Sequence, residues 1–139
     1  MIPRTLQAKD GTEVRISVLP RRTGSSPVAR RLVRDVVEEW ALAALADDAG
    51  LVIAELVANA VQHARADVIR VTVQRRNRLT MRVAVTDMSR VLPLRKIANS
   101  DSLGGRGLAL VEAVSQDWGV DPLPWGKRVW ADLELSHAV

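Results

Sequence analysis

The 139-residue chain has no cysteine, which excludes disulfides and thiolate metal sites and is compatible with an intracellular home. Only two histidines are present, too few nitrogen ligands for a zinc site without thiolates. Phenylalanine and tyrosine are missing, and the aromatic residues reduce to tryptophans at 40, 118, 125 and 130. Stacking of bases on aromatic faces is therefore poorly served. Long hydrophobic runs are missing too. The longest apolar stretch, Leu51 to Val61, is interrupted by Glu55 and Asn59, and nothing approaches the roughly 20 apolar residues of a membrane span. The first residues carry no apolar stretch of signal-peptide length. These absences lead to the expectation of a cytoplasmic protein with no membrane partner.

What is present suits one ordinary globular unit. The length favours a single domain over residues 1–139, and a hydrophobic share of 47% is enough for one sizeable core. The net charge is +4, carried almost entirely by arginine. The arginines are scattered in pairs such as Arg21-Arg22, Arg30-Arg31 and Arg75-Arg76, with no long basic run. They read as a solvated surface, and no direct nucleic-acid partner is expected.

Residues 4–20 read as a hairpin closed by Lys9-Asp10-Gly11-Thr12. Val14, Ile16 and Val18 lie on one face of its second arm, Arg15 and Ser17 on the other. After a polar linker ending near residue 26, a helix is predicted from Pro27 to about Trp40. Ser26 would be its cap, Pro27 its first residue, and Val28, Leu32, Val36 and Trp40 its apolar stripe. A second helix is predicted from Asp47 to Ala64, with two aspartates at its positive end and apolar residues around most of its circumference. Two alternating segments follow, Val68 to Gln74 and Leu79 to Val85, with a tight turn at Arg76-Asn77. Alternation of that kind marks one buried and one open face. A loop over 88–103, a third helix from about Gly105 to Ser115, and strands over Trp118–Val120 and Val129–Leu135 complete the chain. The predicted fold class is α+β, a mixed and mostly antiparallel sheet with helices on one face.

Three stretches carry polar chemistry where packing alone does not ask for it. In ELVANAVQH, Glu55, Asn59 and His63 are spaced by four and share one face of an otherwise apolar helix. Buried polar groups need partners, at a cost of about 1–3 kcal/mol each when unmet. One reading pairs Glu55 and Asn59 with arginines or backbone and leaves His63 at a partly exposed helix end. The other makes the three a site, with oxygen ligands for Mg²⁺ and a base for a hydroxyl or water. Asp87, ending VAVTD, is a turn cap or an acceptor for a ligand amine. Gly104, Gly105 and Gly107 in GGRGLALV either let the chain turn tightly or let a phosphate approach a helix N-terminus.

In order, ELVANAVQH, VTDMSRVLP and GGRGLALV resemble the N, G1 and G2 boxes of the GHKL ATPase superfamily. Together with the ending GKRVWADLEL, they resemble its actinobacterial anti-sigma-factor-like serine/threonine kinases. The resemblance covers about residues 27–135. It implies the Bergerat fold, a two-layer α/β sandwich that binds ATP and Mg²⁺, with an ATP lid over 88–104. It also implies roles: Glu55 as general base, Asn59 as Mg²⁺ ligand, Asp87 on the adenine amino group, and His63, Gly104, Gly105, Arg106, Gly107 and Leu108 near the phosphates. The implied partners are a sigma factor or similar client and an anti-anti-sigma-like antagonist protein that is phosphorylated, in transcription regulation, with a homodimer among the arrangements allowed. The alternative is a non-catalytic ATP-binding or protein-interaction module of the same fold. Two departures stand out. Met88-Ser89-Arg90 replaces the usual glycines after the aspartate. Arg128 falls where many members carry a threonine beside the adenine, unless it projects elsewhere.

Overall fold

Period-two alternation and three amphipathic segments build the molecule in two layers. The computed structural model describes residues 4–7, 12–63, 66–87 and 106–135. In chain order these form β1 (Arg4–Gln7), β2 (Glu13–Pro20), α1 (Ser25–Glu39), a 3₁₀ turn (Ala43–Leu45), α2 (Ala46–His63), β3 (Val68–Arg75), β4 (Thr80–Asp87), α3 (Arg106–Val114), β5 (Asp117–Leu123) and β6 (Gly126–Glu134). The strands form one six-stranded sheet in the order β1-β2-β3-β4-β6-β5. Every described pairing is antiparallel, so the expected admixture of parallel pairing is not found among the described residues.

One face of this sheet carries the core. Leu19, Ile69, Val71, Val73, Met81, Val83, Val85, Val129, Ala131 and Leu133 are buried at alternate positions along their strands. They meet a helical layer centred on α2, which packs on α1, α3, β4 and β6. α2 buries Val52, Ile53, Leu56, Val57 and Ala60. Gly50 lets α1 come close, because a Cβ there would lie 3.1 Å from the Arg30 stem and 3.2 Å from the Arg34 stem. β5 is longer than expected and runs through Pro122. As an edge strand it tolerates a residue with no N–H to donate.

Several local expectations are corrected. Val14, Ile16 and Val18 share a face as expected, and it is the open one: Val18 is 44% exposed, whereas Ser17 and Leu19 are buried. Arg15 reaches the end of α1, donating two hydrogen bonds to Glu39 at 2.7 and 2.9 Å. α1 starts at Ser25, with Gly24 at the N-cap and no side-chain cap. Ser26 is a bridge instead, its hydroxyl donating to the Ala54 carbonyl of α2 at 3.0 Å. Pro27 is the third helical residue, still within the first turn, where N–H groups have no intrahelical acceptor. The buried stripe of α1 is Ala29, Val33, Val36 and Val37, continued by the buried C-cap Trp40, while Val28 is 43% exposed. A strict spacing of four advances about 40° beyond each full turn, so Val28 and Trp40 cannot share one face.

Candidate functional site: a cleft between α2, β4 and β6

The period of two that buries Met81, Val83 and Val85 also turns Asp87, the last residue of β4, toward the helical layer. Across the ladder Asp87 pairs with Lys127, and Val85 with Val129. On α2, Asn59 and Ala60 lie one turn beyond Leu56. These seven residues line a narrow cleft. Its walls are Leu56, Ala60, Val85 and Val129. Its polar groups are Asn59, Asp87 and Lys127.

Both charged groups are deeply placed, with Asp87 5% exposed and Lys127 3% exposed. Each is engaged in an interaction within the structure. Asn59 is different. Its Nδ2 is buried and has no hydrogen-bond partner among the described residues. A buried amide donor without an acceptor costs about 1–3 kcal/mol, which makes Asn59 at the cleft wall a candidate for contact with a ligand.

The expected site residues divide into three groups. Asn59 and Asp87 come together in the cleft. Glu55 and His63 lie one turn to either side of Asn59 on α2 and are both half-buried, but neither belongs to the cleft lining. His63 is engaged in an interaction within the structure. Arg106, Gly107 and Leu108 form the first turn of α3, whose backbone N–H groups are the ones a helix leaves unpaired; α3 packs on α2. Gly104, Gly105, the stretch Met88-Ser89-Arg90 and the expected lid over 88–104 lie outside the described residues.

Of the two courses open to Arg128, the structure takes the one that projects elsewhere. Arg128 stands opposite Thr86 and turns to the other face of the sheet, where its Nη2 donates to Asp121 at 2.7 Å. The residue opposite Asp87 in the cleft is Lys127, which the sequence reading missed. Strand alternation held the signal: Val129, Ala131 and Leu133 are core residues, and position 127 shares their parity.

The donor set fits a nucleotide with its cation. Among the described residues no three carboxylate or imidazole groups cluster as a metal cage. Mg²⁺ is commonly bound through substrate phosphates and few protein oxygens, so the lack of such a cage is compatible with a phosphate-held ion beside Asn59. Asp87 supplies an acceptor among apolar walls, as a base-binding slot requires.

A family model for the histidine kinase-like ATPase domain matches residues 20–132. The chain belongs to that family. The matched stretch contains α2, Asp87, α3 and most of β6, including every residue of the cleft, and membership supports ATP binding as the coarse function. No curated protein matches the chain. None of the described helices is long and apolar enough to cross a membrane.

Proposed function

We propose that the protein is an ATP- and Mg²⁺-dependent regulatory serine/threonine kinase of the anti-sigma-factor-like branch. It sequesters a sigma factor or similar client and phosphorylates a hydroxyl of an antagonist protein. The observation that carries the reading is the convergence of Asn59 and Asp87 on one apolar cleft, with the Asn59 amide donor still lacking an acceptor. Asp87 takes the adenine amino group. The Asn59 carbonyl oxygen holds Mg²⁺ on the phosphates. The first turn of α3 offers backbone N–H groups to phosphate oxygens. Glu55 takes the proton of the incoming hydroxyl, and its partial exposure leaves it open to a protein substrate. Phosphoryl transfer asks mainly for such positioning and charge neutralisation.

One observation favours a second reading. Glu55 lies outside the cleft lining, which suits a non-catalytic ATP-binding or protein-interaction module. Titration calorimetry with ATP and MgCl₂, then transfer to the cognate antagonist found by pull-down, separates the two. Wild type is expected to bind, Asp87→Asn and Asn59→Asp to bind more weakly, and Glu55→Gln to bind nearly as wild type. Transfer by Glu55→Gln should fall by about 10²–10⁴-fold, the usual contribution of a general base. Equal transfer rates in Glu55→Gln and wild type would remove Glu55 from the chemistry. Absence of binding at millimolar ATP would refute the nucleotide site.

A further inference from the structure

Lys127 is a strange residue for its position. β6 is flanked on both sides by β4 and β5, and the lysine is 3% exposed, so its ammonium does not reach water in the usual way of long cationic side chains. Burial of an ammonium is costly unless a negative group compensates it. The group directly opposite in the ladder is Asp87, itself 5% exposed, and opposite residues of an antiparallel pair are close enough to interact. Both line the cleft. An ammonium has three donors and a carboxylate about four acceptor sites. A single shared hydrogen bond would leave each group with sites to offer a ligand.

We propose that Lys127 reads the base of the bound nucleotide, donating a hydrogen bond to ring nitrogen N1 of adenine beside the 6-amino group that Asp87 accepts. The inference rests on the nucleotide-binding reading above and adds a specificity-determining residue to it. Apart from Asn59, the remaining lining is apolar: Leu56, Ala60, Val85 and Val129. Such a slot, with one acceptor and one donor side by side, fits a flat heteroaromatic ring whose edge presents a donor next to an acceptor. Adenine presents its 6-amino group and N1 in that order, and its C2–H meets apolar wall. It also needs only one carboxylate oxygen, so the other stays available to the buried ammonium. Guanine would take both carboxylate oxygens through its N1–H and 2-amino groups and leave the Lys127 charge uncompensated. A site built around a charge-assisted hydrogen bond discriminates strongly against a ligand lacking that partner.

The test is calorimetric binding of ATP, 1-deaza-ATP (in which N1 is replaced by C–H) and GTP, each with MgCl₂, to wild type and to Lys127→Met, with thermal unfolding of both as a check on folding. Wild type should bind 1-deaza-ATP roughly 10- to 100-fold more weakly than ATP, the range for loss of a hydrogen bond to a charged group. That comparison needs no variant. Lys127→Met should bind ATP more weakly by a similar factor and lose the distinction between ATP and 1-deaza-ATP. Equal affinity of wild type for ATP and 1-deaza-ATP overturns the proposal, as does tighter binding of GTP, or full discrimination retained by Lys127→Met. Failure of wild type to bind any of the three nucleotides is a separate outcome, and it removes the nucleotide site itself.

Discussion

Gly119 sits opposite Trp130 in the β5–β6 ladder. A Cβ added there would lie 2.8 Å from the indole Cζ2. The indole has little room to yield. Its Nε1 donates to Asp121 at 3.3 Å, and the Arg82 guanidinium stacks 4.0 Å from the ring centroid while holding Asp132 through bonds of 2.7 and 3.0 Å. Gly119→Ala should destabilise the protein by about 1–3 kcal/mol, the range for overpacking, readable as a shifted midpoint in urea with unchanged slope. A stability equal to wild type would mean that Trp130 moves freely. Single residues were also where the sequence was hardest to read. The i, i+4, i+8 spacing correctly placed Glu55, Asn59 and His63 on one stripe, yet only Asn59 reaches the cleft lining. A stripe is wider than a cleft wall, and spacing on a helix does not say where the neighbouring sheet ends. Arg128 and Lys127 differ by one position and so by one whole face. That distinction needs the strand's register, which the pairing of β4 with β6 supplies.

Elements were more legible than residues, because hydrophobic period is a property of a segment. β3, β4 and α2 fall close to where alternation and apolar spacing put them. Elsewhere tertiary partners override local signals. Val14, Ile16 and Val18 form a good apolar face, but in β2 it is Ser17 and Leu19 that are buried. The end of α1 shows a local device that pattern alone did not reveal. Ala41 has φ of 60°, its N–H bonds to the Glu38 carbonyl at 3.1 Å, and the Leu42 N–H bonds to the Val37 carbonyl at 2.9 Å. This pair of bonds is the Schellman closure, completed by apolar residues at Val37 and Leu42, both buried. The left-handed position costs a residue with Cβ about 1–2 kcal/mol, and glycine avoids it at an entropic cost of roughly 0.5–1 kcal/mol. Ala41→Gly should therefore stabilise by up to about 1 kcal/mol, seen as a rise of melting temperature by a few degrees. A fall would show that the αL residue is not strained in this turn.

At the scale of the whole molecule, two layers and one core follow from the alternation of strands and helices, whereas the ties between layers did not show in the sequence. Arginine, the source of most positive charge, supplies many of them. Arg21 donates to the Val61 and Ala66 carbonyls at the end of α2, and Arg75 to the Trp40 carbonyl at the end of α1. Arg15 joins β2 to Glu39 of α1, while within the sheet Arg128 joins β6 to Asp121 of β5. The last two ties make folding depend on acid. The Arg15 guanidinium, hydrogen-bonded to Glu39, holds that carboxyl below its usual range. Arg128 does the same for Asp121, with the Trp130 N–H adding to the effect and partial burial opposing it. In the unfolded chain both carboxyls return to ordinary values of about 4. Below that point the unfolded state binds more protons than the folded one, so stability rises with pH through this window. The contribution is fully present above about pH 4 and is lost as pH falls through the depressed folded values. Protonation also leaves the 20 lysines and arginines unbalanced, which adds self-repulsion in the same direction. The melting temperature should be nearly flat from pH 6 to 8 with respect to these groups and fall below about pH 4. Asp121→Asn should lower stability at neutral pH by about 0.2–1 kcal/mol, the range for exposed pairs, and should make the acid fall shallower; adding Glu39→Gln should make it shallower still. An acid limb of unchanged steepness in the double variant, measured by calorimetry at constant ionic strength, would show that other carboxylates govern acid unfolding.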